Sequence, residues 1–253
     1  MKTVQGTISI VSHGHGVMVR HLLKDLASQA GIENWLVVMT LNIPEPFEDD
    51  VPGLRMHVIR NSDPKGFGAN HNAAAAYAEG PLFAIVNPDI RMVANDTLDQ
   101  IAGLDWSGRP VLRAPVVVAP DGAHEDSVRR NLSVPNLIVR ARSRRTGWEG
   151  DPDSGDFFWL AGMFLIVPLA RFRALDGFDE QFRLYCEDFD LCARWRIAGG
   201  GVELVRGIRV VHDARRDSHR SFRHLRWHLA SLMRVWRSGP FWRIVTGRYD
   251  RSC

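Results

Sequence analysis

Short apolar runs at residues 7–11, 35–40, 55–60 and 82–86 read as strands, and their spacing predicts a mainly parallel sheet. Between them the period changes. Residues 17–30 place Val17, Leu22, Leu23 and Leu26 at helical intervals, and residues 68–79 read as an alanine-rich helix entered from a glycine-containing turn. This is the rhythm of repeated strand–helix–strand units, an α/β class with helices flanking a central sheet. Over residues 108–155 the signal blurs: Pro110, Pro115, Pro120 and Pro135 interrupt it, residues 140–145 are arginine-rich, and the expectation is a strand or two followed by a mobile loop. Residues 157–167 read as a central strand, 191–198 as a helix closed by Gly199-Gly200-Gly201, and 202–205 and 208–211 as further strands. In the last part of the chain Phe222, Leu225, Leu229, Leu232, Met233 and Trp236 share one helical face, flanked by Arg223, Arg226, Arg234 and Arg237. Such a face either packs on the core or rests on an anionic membrane surface, and one helix can do both. The expected organisation is a domain over 1–217 followed by a basic helical segment over 218–253.

Composition narrows the classes. With 253 residues and 45% hydrophobic content the chain can bury one substantial core. A net charge of +3 is too small to imply nucleic-acid binding by the whole chain, so no nucleic acid is expected as a partner. The start of the chain lacks the apolar stretch of a secretory signal. The most apolar segment, 157–170, is broken by Gly162 and Pro168 and is shorter than the roughly 18–20 residues that span a bilayer. Cys186, Cys192 and Cys253 form no CxxC spacing, which argues against a disulfide framework or a structural zinc site. The cytoplasm is the expected compartment.

Four features could carry chemistry. Asn87-Pro88-Asp89 follows an apolar strand, so Asp89 stands just past the carboxyl end of a sheet strand, where open α/β sheets bind ligands. A carboxylate there can hold Mg²⁺ or Mn²⁺ against a diphosphate, although the same tripeptide is ordinary turn chemistry. Second, Asp179, Glu180, Glu187 and Asp188 lie on a segment leading into a helix, more carboxylates than capping requires, and one of Glu187 and Asp188 is placed to act as a general base. Third, His212 follows a strand and could join Asp89 in a transition-metal site, against the commoner structural role of a lone histidine. Fourth, NSDPKGFGANHN at 61–72 is a turn into a helix whose backbone N–H groups could face a phosphate. His13 stands at the end of the first strand.

In order along the chain, GFGANHN at 66–72, NPD at 87–89, Leu160-Ala161-Gly162, GFDEQFRLYCEDFDLCARW at 177–195 and the downstream His212 with HRSFRHLRWH resemble the family 2 glycosyltransferases. Within that family they resemble the rhamnosyltransferases of O-antigen and cell-wall assembly. The resemblance covers nearly the whole chain and implies a GT-A fold. It also implies an inverting displacement with Asp188, beside Glu187, as the base, and Asp89 and His212 holding a divalent metal. Ser12, His13, Asn61, Lys65, Gly66, Asn70, Asn87 and Asp89 would lie on the donor side, and Ala161, Gly162, Asp179 and Glu180 on the acceptor side. Arg216 and Arg220 are candidates for assisting the leaving group. The implied donor is dTDP-L-rhamnose, and the implied acceptor is a polyprenyl-diphosphate-linked saccharide met at the cytoplasmic face of a membrane. The chain departs from the family pattern at His13-Gly14, at Asn42 where an acidic residue is common, and at Asn87, which replaces the first aspartate of the metal motif. A transferase of the same family using a UDP-hexose or galactofuranose donor, and a non-catalytic nucleotide-sugar-binding homologue, are the competing readings.

Overall fold

A computed structural model describes residues 4–143, 147–149, 155–213 and 222–249. The elements are β1 (Gly6–Ser12), α1 (Gly16–Ala27), β2 (Trp35–Leu41), β3 (Arg55–Arg60), α2 (Phe67–Ala76), β4 (Leu82–Val86), β5 (Ile90–Arg91), α3 (Thr97–Ala102) and β6 (Val111–Val118). They continue as β7 (Val128–Arg130), α4 (Val134–Ser143), β8 (Phe158–Leu160), β9 (Phe164–Pro168), α5 (Leu169–Ala174), α6 (Glu187–Ile197), β10 (Gly201–His212), α7 (Phe222–Arg237) and α8 (Gly239–Val245).

The main sheet has the order β3-β2-β1-β4-β9-β6-β10-β5. Strands β3, β2, β1 and β4 run parallel, β9 is antiparallel to both β4 and β6, β6 and β10 are again parallel, and the short β5 returns antiparallel on β10. The expected mainly parallel α/β sheet is present. Every residue of β2 and of β4 is buried, as strands covered on both faces should be. One face carries Val19, Leu22, Leu23 and Leu26 of α1 with Leu98 and Ile101 of α3. The other carries α2, α5 and α6, together with Leu232 and Val235 of α7 and Phe241 and Ile244 of α8. Both C-terminal helices therefore contribute apolar residues to the layer that covers the sheet.

The segment 157–167 differs from its expectation as one strand. It is two: β8 leaves the main sheet to pair antiparallel with β7, and β9 re-enters it. The break is Ala161-Gly162-Met163, where the Met163 N–H turns back onto the Ala161 carbonyl at 2.7 Å. The blurred region contains the two expected strands, β6 and β7, but they are followed by the helix α4 where a loop was expected. Arg144, Arg145 and residues 150–154 of the expected loop lie outside the described residues, as do Arg216 and Arg220.

Candidate active site

The carboxyl ends of β1, β2, β3 and β4 open on the same edge of the sheet, and the chain returns across β1 to reach β4, which makes this edge the topological switch point. The loops here are tied together by asparagines. Buried Asn42, directly after β2, accepts from the Lys65 N–H at 2.8 Å and from Asn61 Nδ2 at 2.9 Å. Its own Nδ2 donates to the Lys65 carbonyl at 3.0 Å and to His13 Nδ1 at 3.2 Å. Asn61 also donates to Asn70 Oδ1 at 2.7 Å, and Asn70 Nδ2 to the Gly66 carbonyl at 2.9 Å. Asn42, Asn61, Lys65, Gly66, Asn70 and His13 are thus one hydrogen-bonded unit. Ser12 is fully buried and caps the following turn by accepting the His15 N–H at 3.1 Å. Asn42 was not among the expected site residues; its signal was positional, a polar residue at the end of a buried strand.

Gly66 and Gly68 serve packing. A Cβ on Gly66 would lie 2.7 Å from the Arg183 carbonyl oxygen, and one on Gly68 would lie 2.5 Å from Phe178 Cβ. The Phe67 N–H donates to the Arg183 carbonyl at 3.1 Å, and Asn72 clamps the backbone of Phe178 from both sides at 2.9 Å. The start of α2 is thereby locked to the loop 178–186 that leads into α6. Asp179 and Glu180 belong to this clamp: Asp179 accepts the Gln181 N–H at 2.9 Å, and Glu180 accepts from Asn72 at 3.1 Å. Both are engaged in holding the loop.

The loop ends in a strained turn. Tyr185 (φ 73°) and Cys186 (φ 67°) occupy the left-handed region, which costs non-glycine residues on the order of 1–3 kcal/mol each. That turn places Glu187 and Asp188 in the first turn of α6, earlier than the sequence expectation. Asp188 Oδ2 accepts the Gly162 N–H at 3.0 Å and Oδ1 accepts the Phe189 N–H at 2.9 Å. Burial raises the Asp188 pKa above the usual carboxylate range, while Arg129 and the two N–H donors pull against that rise. Glu187 is 5% exposed and its Oε2 has no hydrogen-bond partner. Burial and then the Asp188 charge hold its pKa well above the ordinary value. The environments of the two acids differ: Glu187 Oε2 has no hydrogen-bond partner, whereas Asp188 holds two backbone N–H donors that favour its charged form.

The other half of the site lies at the β4, β5 and β10 ends. His212 Nε2 is 3.1 Å from Asp89 Oδ2, and His212 Nδ1 is 3.7 Å from Glu125 Oε1. Burial works against the imidazolium, but the Asp89 and Glu125 carboxylates outweigh it and leave the His212 pKa raised. Asp89 Oδ1 is buried without a hydrogen-bond partner. Among the described residues no group of three or more His, Cys, Asp or Glu side chains forms a metal cage. An open carboxylate oxygen beside an imidazole fits a cation whose remaining ligands come from substrate. Glu125 was missed because it lies in the proline-interrupted stretch where no periodicity marked it.

One tripeptide joins the halves. Gly162 N–H holds Asp188, the Met163 carbonyl accepts the Asn87 N–H at 2.9 Å, and the Ala161 N–H donates to the Ser127 carbonyl at 2.9 Å, two residues from Glu125. Ala161 and Gly162, expected on the acceptor side, are the connection between the two carboxylate sites.

No protein-family model matches the chain. It is 29% identical over 245 residues to rhamnosyltransferase WbbL of Escherichia coli K12, covering 90% of each chain. It is 28% identical over 163 residues to the N-acetylglucosaminyl-diphospho-decaprenol L-rhamnosyltransferase of Mycobacterium tuberculosis, 58% of this chain and 50% of that one. Among solved structures, the Pyrobaculum calidifontis mannosyltransferase PcManGT in complex with GDP-Man and Mn²⁺ superposes with a TM-score of 0.63 at 14% identity, over 96% of this chain and 68% of that one. GalNAc-T7 with UDP, GalNAc and Mn²⁺ gives a TM-score of 0.63 at 14% identity, over 98% and 51%. The protein is a glycosyltransferase with the GT-A fold. Within that class it is rhamnosyltransferase-like, similar along nine-tenths of its length to WbbL.

Proposed function

We propose that the protein transfers L-rhamnose from dTDP-L-rhamnose, with inversion, to a hydroxyl of a polyprenyl-diphosphate-linked saccharide, working at the cytoplasmic face of a membrane. The observation that carries this reading is the Ala161-Gly162-Met163 connection, which fixes Asp188 and the Asn87–Asp89 turn to one short piece of backbone. The rhamnose donor and the lipid-linked acceptor follow from the similarity to the two rhamnosyltransferases.

In the proposed step Asp188 takes the proton of the acceptor hydroxyl as its oxygen bonds to the anomeric carbon. The bond from that carbon to the diphosphate oxygen breaks, and the electron pair leaves with the nucleotide diphosphate. Burial makes Asp188 a stronger base than a solvated carboxylate, and its two backbone donors fix its orientation. Asp89 and His212 would hold a divalent metal, Mg²⁺ or Mn²⁺, which supplies Lewis-acid stabilisation of the departing diphosphate. The asparagine unit around Asn42 fixes the loops on the donor side, and the Glu125 carboxylate stands 3.7 Å from the far nitrogen of His212, where its charge favours the imidazolium.

The test is nucleotide release by purified protein from dTDP-, UDP- and GDP-sugars, with Mn²⁺, Mg²⁺ or chelator, in the presence of N-acetylglucosaminyl-diphospho-farnesol. Metal-dependent release from dTDP-rhamnose with formation of a disaccharide lipid is the expected result. Release from a UDP-sugar alone would discard the rhamnose assignment.

A further inference from the structure

A groove of about 520 Å³ runs between the 179–183 turn and α7. Its volume is within the range that small ligands occupy, roughly 300–1,000 Å³. Arg183, Arg234 and Arg237 line it, and among the described residues none of these three guanidiniums is ion-paired with a carboxylate. Its one acidic lining residue, Asp179, already accepts the Gln181 N–H at 2.9 Å. The cations are held in place by neutral groups: Arg183 stacks 5.3 Å above the Trp227 ring, and Arg234 sits 5.8 Å above Phe182 and donates to Gln181 Oε1. Three arginines around one cavity, two of them held by neighbouring groups, make a site for an anion with several oxygens, because the guanidinium fork matches phosphate geometry.

The rest of the lining combines the apolar residues Phe182, Trp227, Ala230 and Met233 with the neutral polar Gln181, Ser231 and Ser238. Phe182, Trp227, Ala230 and Met233 lie beside the arginines, and Met233 also belongs to the exposed stripe Leu225, Leu229 and Met233 on the outside of α7. On the inner side, Ser231 Oγ donates to the Leu184 carbonyl at 2.9 Å, and the Tyr185 hydroxyl hydrogen-bonds with His224 Nδ1 at 2.9 Å. The groove wall is thus continuous with the turn that presents Glu187 and Asp188.

We propose that this groove seats the lipid diphosphate of the acceptor, with the diphosphate on Arg183, Arg234 and Arg237 and the first prenyl units along Phe182, Trp227 and Met233. This rests on the lipid-linked acceptor proposed above and gives that acceptor a location. An acceptor held there has its saccharide directed toward the catalytic loop and its tail toward the exposed face of α7.

The experiment has a binding arm and a transfer arm, both in detergent, using wild type, Arg234→Gln/Arg237→Gln and Arg234→Lys/Arg237→Lys. In the first, calorimetry measures farnesyl diphosphate binding; the glutamine variant should bind at least about tenfold more weakly, with partial recovery in the lysine variant. In the second, KM for N-acetylglucosaminyl-diphospho-farnesol should rise about tenfold or more in the glutamine variant. Transfer to octyl N-acetylglucosaminide and donor hydrolysis without acceptor should stay at the wild-type rate. Equal farnesyl diphosphate affinity in wild type and glutamine variant overturns the proposal. So does an equal loss with the diphosphate and octyl acceptors, which would mark the arginines as structural. Loss of binding to phosphatidylglycerol vesicles with farnesyl diphosphate affinity retained would assign the arginines to lipid headgroups and also overturns it. Arginine-dependent binding of farnesyl diphosphate without any rhamnose transfer would leave the groove standing and remove the activity proposed above.

Discussion

At the scale of single residues, the acid pair at the start of α6 sets function against stability. Both carboxyls have pKa values raised by burial, so between the unfolded value and the raised folded value the native chain binds more protons than the unfolded one. Stability contributed by the protonated pair is therefore present at low pH and lost as pH rises through that window. In the proposed mechanism activity runs the other way, since transfer there uses the Asp188 carboxylate. The acid limb of kcat should lie above the range of a solvated aspartate, and rates should climb with pH through it. Asp188→Asn should lower transfer by about 10²–10⁴-fold and leave donor affinity nearly intact. The same change relieves a buried carboxylate but sets an amide NH2 against one of the two backbone N–H groups that the carboxylate accepts, two opposed effects that should leave Tm within about 2–4 °C of wild type. A loss of folding in this variant would identify Asp188 as a structural residue. At the opposite end of the site, if Asp89 and His212 hold metal as proposed, Glu125→Gln, which removes the carboxylate 3.7 Å from His212 Nδ1, should raise the Mn²⁺ concentration needed for half-maximal rate by about 10-fold. A titration of activity against Mn²⁺ that matches wild type would remove Glu125 from the site.

At the scale of elements, α2 and the 178–186 loop fit each other through the absence of side chains. Gly68 sits where a Cβ would lie 2.5 Å from Phe178 Cβ, an atom one bond from backbone that cannot swing aside. Gly68→Ala should cost about 1–3 kcal/mol by overpacking and slow transfer, because the loop it displaces carries Asp188. Gly239→Ala, with nothing within 4 Å of the added methyl group, is the control and should leave both unchanged. Equal Tm and rate for the two variants would show that the loop is not held by this contact. The interlock also explains what could be read from sequence. GFGANHN, NPD and the 177–195 run were visible because each packs a turn residue, a polar side chain and an apolar anchor into a few consecutive positions. Strand β4 was visible as an uninterrupted apolar run and β2 as one broken only by Thr40, both buried on two faces, while β1 was visible through Ile8, Ile10 and Val11 among its small polar residues. The β8–β9 break was hidden because Leu160 to Val167 stays apolar on either side of Gly162, although the two strands join different sheets. Helix α4 was hidden by Pro135 and its arginines. In β10, exposed Glu203, Arg206 and Arg209 and a register shift between Val205 and Arg209 masked one twelve-residue strand as two short ones. Asn42 and Glu125 were illegible as site residues because their partners, Lys65 and His212, are distant in sequence and met only through the fold.

At the scale of the whole molecule, the last two helices have two faces with separate tasks. Leu232, Val235, Phe241 and Ile244 are buried in the layer that covers the sheet, and Trp236 Nε1 donates to the Leu132 carbonyl at 2.8 Å. The apolar face expected from the periodicity is therefore split. Leu225, Leu229 and Met233 point away from the core, as does Trp242 on α8, and exposed Arg226, Arg234 and Arg237 lie beside the stripe. No helix among the described residues is long and apolar enough to cross a membrane. A surface of this kind suits attachment in the plane of the interface, where each arginine near anionic lipid contributes on the order of 1 kcal/mol. Removing the C-terminal segment would be a poor test, because it also removes buried core residues and would unfold the sheet's cover. Leu225→Gln/Leu229→Gln changes only the outer face and spares Met233, which lines the groove. It should leave Tm within about 1–2 °C of wild type, since exposed substitutions shift stability by only about 0.5 kcal/mol. Sedimentation with phosphatidylglycerol vesicles should fall by about tenfold or more, with little change on neutral phosphatidylcholine, where wild type itself should bind weakly. Transfer to a detergent-soluble acceptor should be retained while transfer to acceptor embedded in vesicles drops. If the double variant sediments with anionic vesicles as wild type does, the outer face of α7 is not a membrane-attachment surface.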